Sequence, residues 1–290
     1  LLVILAIFLC VAFYELLGIC VAYKKQPEVS NTTKKETKNG SWNECSENTE
    51  RAVIIEKNPE ALLQRVRLIK NAKKEIILST FAFQSDESGK LILGALHDAA
   101  DRGVHIRLLV DGMESWIDME GNPYFYGLSS HENVEIKLYN KANPLKPWKM
   151  MGRMHDKYLI ADGKRYILGG RNTYNYFLGD FPGHKNYDRD VLVVCDEPEK
   201  ENSVNQLLEY FETIWEQEDS GYFHDNKKLA NRKSVKNAVL ELQNGYQKYF
   251  EENKERICDT DYTDETFETE KIALVSNPIH TGSKEPVVWY

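Results

Sequence analysis

Two runs of β-forming residues separated by one apolar-faced helical stretch restrict this chain more than any other feature. Glu75–Phe83 (EIILSTFAF) and Val104–Val110 (VHIRLLV) read as buried strands, and Leu91, Ile92, Leu96, Ala99 and Ala100 recur between them on one helical face. Gly103 stands where that helix should stop. Strand, helix and strand within so short a span make a βαβ crossover, which implies a parallel pair in a covered sheet. The same reading extends outward. Asn58-Pro59 predicts a helix cap, with Leu62, Val66 and Ile69 at helical spacing behind it. Residues 111 to 132 form a long connection, followed by a strand at Val134–Leu138. Tyr158–Ala161 and Tyr166–Leu168 flank Asp162-Gly163, a hairpin signal, and Val191–Val194 is one more strand. Two amphipathic helices come next, one carrying Val204, Leu207, Leu208, Phe211, Ile214 and Trp215, the other Val235, Val239, Leu242, Tyr246 and Tyr249. The expectation is an α/β fold, a mixed sheet flanked by helices, over residues 51–258. An acidic connector (Asp259–Glu270) and a new strand from Lys271 to Ser276 are expected after it.

The ends of the chain differ in character. Residues 1–23 are almost wholly apolar, interrupted by Glu15 and succeeded by Lys24 and Lys25, a length that crosses a bilayer as a transmembrane helix. A cleaved signal peptide is the rival reading. The lysine pair favours a cytoplasmic side for the residues C-terminal to it, but topology stays open. Residues 24–50 are polar enough to be a flexible linker; the sequons at Asn31 and Asn39 carry little weight in such a composition. The net charge of −8 argues against a general nucleic-acid binder. The five cysteines show no CxxC or His/Cys ligand spacing, so neither zinc nor a disulfide framework is supported, and no metal or cofactor is expected.

Chemistry concentrates in His155-Asp156-Lys157-Tyr158-Leu159-Ile160-Ala161-Asp162. If His155 and Lys157 share a strand, alternation sends both to one face. An imidazole can attack phosphorus while an ammonium neutralises the oxygens on which charge builds. Across the hairpin, Gly169-Gly170-Arg171-Asn172 offers small residues for close approach and an amide donor. Singly these residues are ordinary, since a strand histidine is more often a satisfied core residue and a lone lysine usually faces solvent. Together, the pattern H-x-K-x4-D-x6-G-[GS]-x-N arises by chance in about one chain of this size in 10⁵ at average composition. Elsewhere Trp116, Tyr124, Phe125 and Tyr126 in the long connection could meet acyl chains. The run Pro144–Met151 with Arg153 mixes cations and apolar residues in a way that suits an anionic head group.

These residues resemble the phospholipase D superfamily, and most closely its bacterial cardiolipin synthase branch, over residues 51–290. Ala99–Gly112 (AADRGVHIRLLVDG) is similar to the family's helix-to-strand passage ahead of the motif. The resemblance implies catalytic roles for His155, Lys157, Asp162 and Asp190, with His155 forming a phosphohistidine and Lys157, Gly170 and Asn172 holding the phosphate. Asp162 is implied to be more structural than catalytic. An acidic residue that orients the nucleophilic ring is placed at Asp190, with Asp188 as the neighbouring candidate. The implied activity is that of a membrane-bound phosphatidyltransferase acting on phosphatidylglycerol or a related phospholipid at the bacterial plasma membrane. Hydrolysis of phospholipid or nucleic acid, or a non-enzymatic lipid-binding scaffold, are the alternatives. The family pairs two such motifs, and one is present here; a homodimer partner or a second half of the polypeptide is therefore expected as partner. Ile272–Tyr290 resembles the opening of such a second half, so the chain is expected to be truncated at both ends, its residues 259–290 being a connector and the start of a second domain.

Overall fold

A computed structural model describes residues 1–24, 35, 50–149, 152–198, 201–224 and 226–276. The expected linker, its sequons and Cys45, the methionines at 150 and 151, and residues 277–290 of the expected second half lie outside the described residues. The apolar N-terminus forms one helix, α1 (Leu2–Lys24), long and apolar enough to cross a membrane.

The predicted crossover is present. β2 (Glu75–Thr80), α3 (Glu87–Asp101) and β3 (His105–Asp111) form the parallel unit, with Glu75 opposite His105 and Thr80 opposite Val110. Gly103 ends the helix at φ +87°, a conformation that costs glycine nothing. β4 (Val134–Tyr139) adds a third parallel strand beside β3. On the other side of β2 the sheet turns antiparallel through β5 (Tyr158–Ala161), β6 (Arg165–Gly169) and β7 (Asp190–Val194). β1 (Glu50–Ile55) and β9 (Phe267–Thr269) close that edge, and β8 (Ser220–Tyr222) closes the other, for a nine-stranded order β8-β4-β3-β2-β5-β6-β7-β1-β9. This is the mixed α/β sheet that the sequence predicts.

Alternation divides the core into two layers. Ile76, Leu78, Ile106, Leu108, Leu159, Ile167 and Leu192 pack under α2 (Asn58–Asn71), α3 and the helix Lys233–Glu252. Ile77, Leu109, Ile160, Tyr166 and Val193 face the opposite way, onto the helix Ser203–Trp215. A sheet covered on both faces needs the continuous apolar runs seen in β2 and β3.

Several expectations change. The connection 111–132 contains two short helices, Gly112–Asp118 and Pro123–Ser129, started by the side chains of Asp111 and Asn122. Asn58 opens α2 but does not cap it; its side chain is buried and bonded to the Asn186 carbonyl and to Arg171. Lys271–Ser276 forms no strand. The acidic connector is no free tether, because β9 pairs with β1, and Asp259 and Glu265 bind Arg67, so the sheet runs past the expected boundary at 258.

One carboxylate fixes the centre of this sheet. Asp162 and Gly163 turn the β5–β6 hairpin at φ 55° and 63°, within a three-residue loop closed by the bond from Lys164 N to Ala161 O. The Asp162 carboxylate then accepts from the amides of Lys73, Lys74 and Glu75 at 2.7–3.1 Å, where the chain enters β2. Hydrogen bonds to a charged acceptor contribute about 1.5–3 kcal/mol each, without full additivity. Asp162→Ala should therefore lower the melting temperature by several degrees in a thermal denaturation experiment, and an unchanged melting temperature would show the clamp to be idle.

Candidate active site

The sequence places His155 and Lys157 on a strand; the structure starts β5 one residue later, at Tyr158. Both residues lie in the extended approach to it, where the bond from Gly169 N to Lys157 O (3.1 Å) continues the ladder with β6. The two side chains nevertheless meet on one side, around Phe81 at the end of β2. The His155 ring sits edge-on to Phe81 with centroids 4.7 Å apart, and Lys157 Nζ lies 5.4 Å from the centre of the same ring. Arg153 adds a second cation, its guanidinium 4.8 Å from that ring. Phe81 does not stand out in the sequence, where it is one apolar residue among several.

His155 is exposed, whereas Lys157 is buried. Partial burial of the imidazole, then the charges of Lys157 and Arg153, hold His155 below the usual histidine value of 6.5, so the ring is neutral at pH 7. Burial also pushes Lys157 down to about 8, opposed by Asp156 and Asp188. Its Nζ donates to the His155 carbonyl at 2.5 Å, which holds the ammonium beside the residue it would assist. Asp156 between them is pushed up to about 6 by burial of its carboxyl, which accepts from the Tyr210 hydroxyl at 2.9 Å.

Asn172 comes to the same corner. Its Oδ1 accepts from the amide of Ala82, the residue after Phe81, at 3.2 Å. That bond fixes which end of the amide is which, and Nδ2 makes no hydrogen bond among the described residues. A cavity of about 270 Å³ opens beside His155 and Lys157, lined also by Gly169, Tyr210, Leu274 and Ser276. Leu274 is held there by its backbone N–H, which donates to Gln206 Oε1 at 2.9 Å, so the segment after β9 borders the cavity.

Two of the expected site residues lie elsewhere. Asp162 is at the far end of β5, about 16 Å along an extended strand from Lys157, and its carboxylate is engaged by the amides described above. Asp190, expected beside His155, is found with other partners. It is buried between Arg65 (2.9 Å) and Arg171 (3.2 Å), and it makes no bond to His155 among the described residues. Arg171 is itself buried and bonded to the carbonyls of Ile55 and Glu56, turned away from the cavity. Asp188 is the carboxylate of the two whose charge reaches Lys157. It lies over Gly170, where a Cβ would stand 2.0 Å from its Oδ2.

Asp111 is a positioning residue that the sequence reading passed over. Its buried carboxylate accepts from the amides of Met113 and Glu114, from Arg153 Nε (2.8 Å) and from Met154 N (3.0 Å). It thereby ties the end of β3 to the approach of His155. An aspartate between a strand and a glycine-led helix is a cap signal that could have exposed it.

Residues 65–215, more than half of the chain, match the family described as cardiolipin synthase, PLD-like domain. The chain belongs to the phospholipase D-like family. An uncharacterised Helicobacter pylori protein (strain J99) is 30% identical over 212 residues, covering 68% of this chain and 39% of that protein. Cardiolipin synthase C of Escherichia coli K12 is 29% identical over 171 residues, covering 54% of this chain and 34% of its own length. The chain thus spans well under half the length of these relatives. The solved phosphatidylserine synthase of Haemophilus influenzae superposes with a TM-score of 0.50 at 17% identity, over 76% of this chain and 48% of that one, a likeness of fold.

The two glycines give a graded test. A Cβ on Gly169 would stand 2.1 Å from Asp190 Oδ1, on a carboxylate locked by two arginines, whereas at Gly170 it meets the half-exposed Asp188. Gly169→Ala should cost about 1–3 kcal/mol of overpacking strain and lower the melting temperature more than Gly170→Ala. The reverse order would mean that Asp190 gives way more easily than its partners imply.

Proposed function

We propose that this domain carries out phospholipase D-type phosphatidyl transfer of the cardiolipin synthase kind, with His155 as nucleophile. The observation that carries the reading is the meeting, around Phe81, of an accessible imidazole that is neutral at pH 7 and a desolvated ammonium. In the proposed step a ring nitrogen of His155 forms a P–N bond to phosphatidylglycerol while the P–O bond to glycerol breaks. Lys157 and the Asn172 amide hold the non-bridging oxygens, with Gly170 leaving room for Asp188 beside them. The leaving oxygen takes its proton from a second motif histidine, supplied by a second copy of the chain or by further polypeptide. The hydroxyl of a second lipid, deprotonated by that same group, then restores the P–O bond and frees His155. Asp188, by its place over Gly170, is the carboxylate assigned to steady the charged intermediate. Helix α1 holds the domain to the bacterial plasma membrane in this reading, and the net charge of −8 favours lipid over nucleic acid as substrate.

Acid-quenching the full-length protein with phosphatidylglycerol and mapping the adduct by mass spectrometry should locate a phosphatidyl group on His155. His155→Ala should abolish the adduct and lower turnover about 10³-fold or more, as loss of a nucleophile does. Asn172→Ala should cost about 10²–10³-fold, the loss of one donor to developing charge. An adduct on another residue, or full activity in His155→Ala, would end this assignment.

The pH dependence rests on the two shifts. His155 attacks as the free base, so kcat/KM rises with pH through a value below 6.5. Lys157 helps only while protonated, so the rate falls again as pH passes about 8. Lys157→Arg keeps the charge at all accessible pH and should remove the alkaline limb, whatever it does to the maximum. A profile whose alkaline limb is unmoved by that change would assign the limb to another group.

A further inference from the structure

Helix α1 does not stand apart from the catalytic domain. Its Tyr14 hydroxyl donates to the Leu145 carbonyl at 2.8 Å. One turn later Gly18 is buried against the 3-10 turn Pro147–Lys149, where a Cβ would lie 2.3 Å from Pro147 Cγ. The apolar span Leu2–Val21 has a mean hydropathy of 2.6 and is almost entirely uncovered by protein. At 1.5 Å per residue, Gly18 and Tyr14 lie about 5 and 10 Å inside the Val21 end of that span. If the span fills the hydrocarbon layer, whatever is bound to Tyr14 and Gly18 must enter the membrane with it. A depth of about 5–10 Å is that of helices and loops lying in the interface.

The residues at that level suit the position. Leu145 is 78% exposed, and Trp116 and Ile117, on the short helix Gly112–Asp118, are each 67% exposed. Trp116 lines a cavity of about 560 Å³ together with Glu15 and Ile19 of α1 and Lys141 and Pro144 of the domain, which puts it on the same face. Glu15, the one charge within the span, therefore meets a crevice with a lysine on its wall rather than lipid alone. Of the aromatic residues expected to meet acyl chains, Phe125 and Tyr126 are buried and Tyr124 is bonded to Glu241; Trp116 is the one left outward. We infer that Leu145 with the preceding Pro144, and Trp116 with Ile117, form a contact with the phospholipid interface beside α1, so that the domain lies on the bilayer by this face. The contact reaches the candidate site through Arg153. Glu114, on the same short helix, and Asp111 at its start both hold this arginine, at 2.7 and 2.8 Å, two residues before His155. This inference stands whether or not His155 is a nucleophile.

The test uses the unaltered full chain reconstituted in phosphatidylcholine–phosphatidylglycerol vesicles that contain a phospholipid with a photoreactive acyl chain. After illumination, peptide mass spectrometry should find adducts on α1 and on Trp116, Ile117 and Leu145. Labelling there should be severalfold above that of Ile54 and Phe267, which are as exposed but sit at the β1–β9 edge of the sheet. Labelling of α1 with the patch no higher than those two controls would overturn the inference. Absence of label from α1 itself would remove its premise and overturn it equally. Trp116→Ser with Leu145→Ser should lower patch labelling while leaving α1 labelled; patch labelling unchanged in that variant would also count against it.

Discussion

The Asp162 carboxylate is the constraint on which the rest of the arrangement depends. The sheet changes from parallel to antiparallel pairing at the β2–β5 boundary, and a strand of four residues makes few ladder bonds to choose its own register. A slip of one residue would send His155 and Lys157 to the opposite face. The grip of one turn carboxylate on three successive amides at the start of β2 removes that freedom. At the other end of β5, Asp111 does the corresponding work, tying Arg153 and the Met154 amide to the end of β3. The reactive residues therefore hang between two carboxylate anchors, each fixed to the parallel half of the sheet.

The two carboxylates near the glycines divide their work by burial. Asp190 sits among Arg65, Arg171 and the β1–α2 turn, where a charge is tolerable only with cations at contact distance. That bracket joins β7 to α2 and, through Asn58 and the Ile55 carbonyl, to the edge of the sheet. Asp188 stays half exposed two residues earlier and keeps its influence on Lys157. Gly169 and Gly170 are needed because each lies under one of these carboxylates, a packing reason distinct from any freedom of φ.

This division marks the limit of what the sequence reveals. Local pattern sufficed for the crossover, the hairpin and the grouping of His155, Lys157 and Asn172, because each is encoded by residues close together or at a spacing that alternation interprets. Asp188 and Asp190 share that alternation, so choosing between them required knowing where Arg65 and Arg171 stand, and neither is near in sequence to the choice. Strands β1 and β9 were missed for a related reason. β9 is a three-residue edge strand whose only partner lies more than two hundred residues away, and β1 is placed by β7 and β9, both distant in sequence. Phe81 and Tyr210 shape the site through their neighbours, and nothing in their own surroundings in the sequence marks them.

The charges in the candidate site are held in a state that a phosphodiester would relieve. Burial favours the neutral forms of both Lys157 and Asp156, moving one down to about 8 and the other up to about 6. The two partly compensate each other, and Asp188 adds to the support of the lysine. A phosphate oxygen arriving beside Nζ supplies a closer anion than either and stabilises the ammonium further. As negative charge grows on those oxygens during attack, the interaction strengthens in an environment with little water to screen it. The same cation works against protonation of the adjacent imidazole, which would keep the proposed nucleophile free until phosphorus is bonded. In the proposed reaction one desolvated lysine, held against Phe81 and the His155 carbonyl, thus serves both halves of the step.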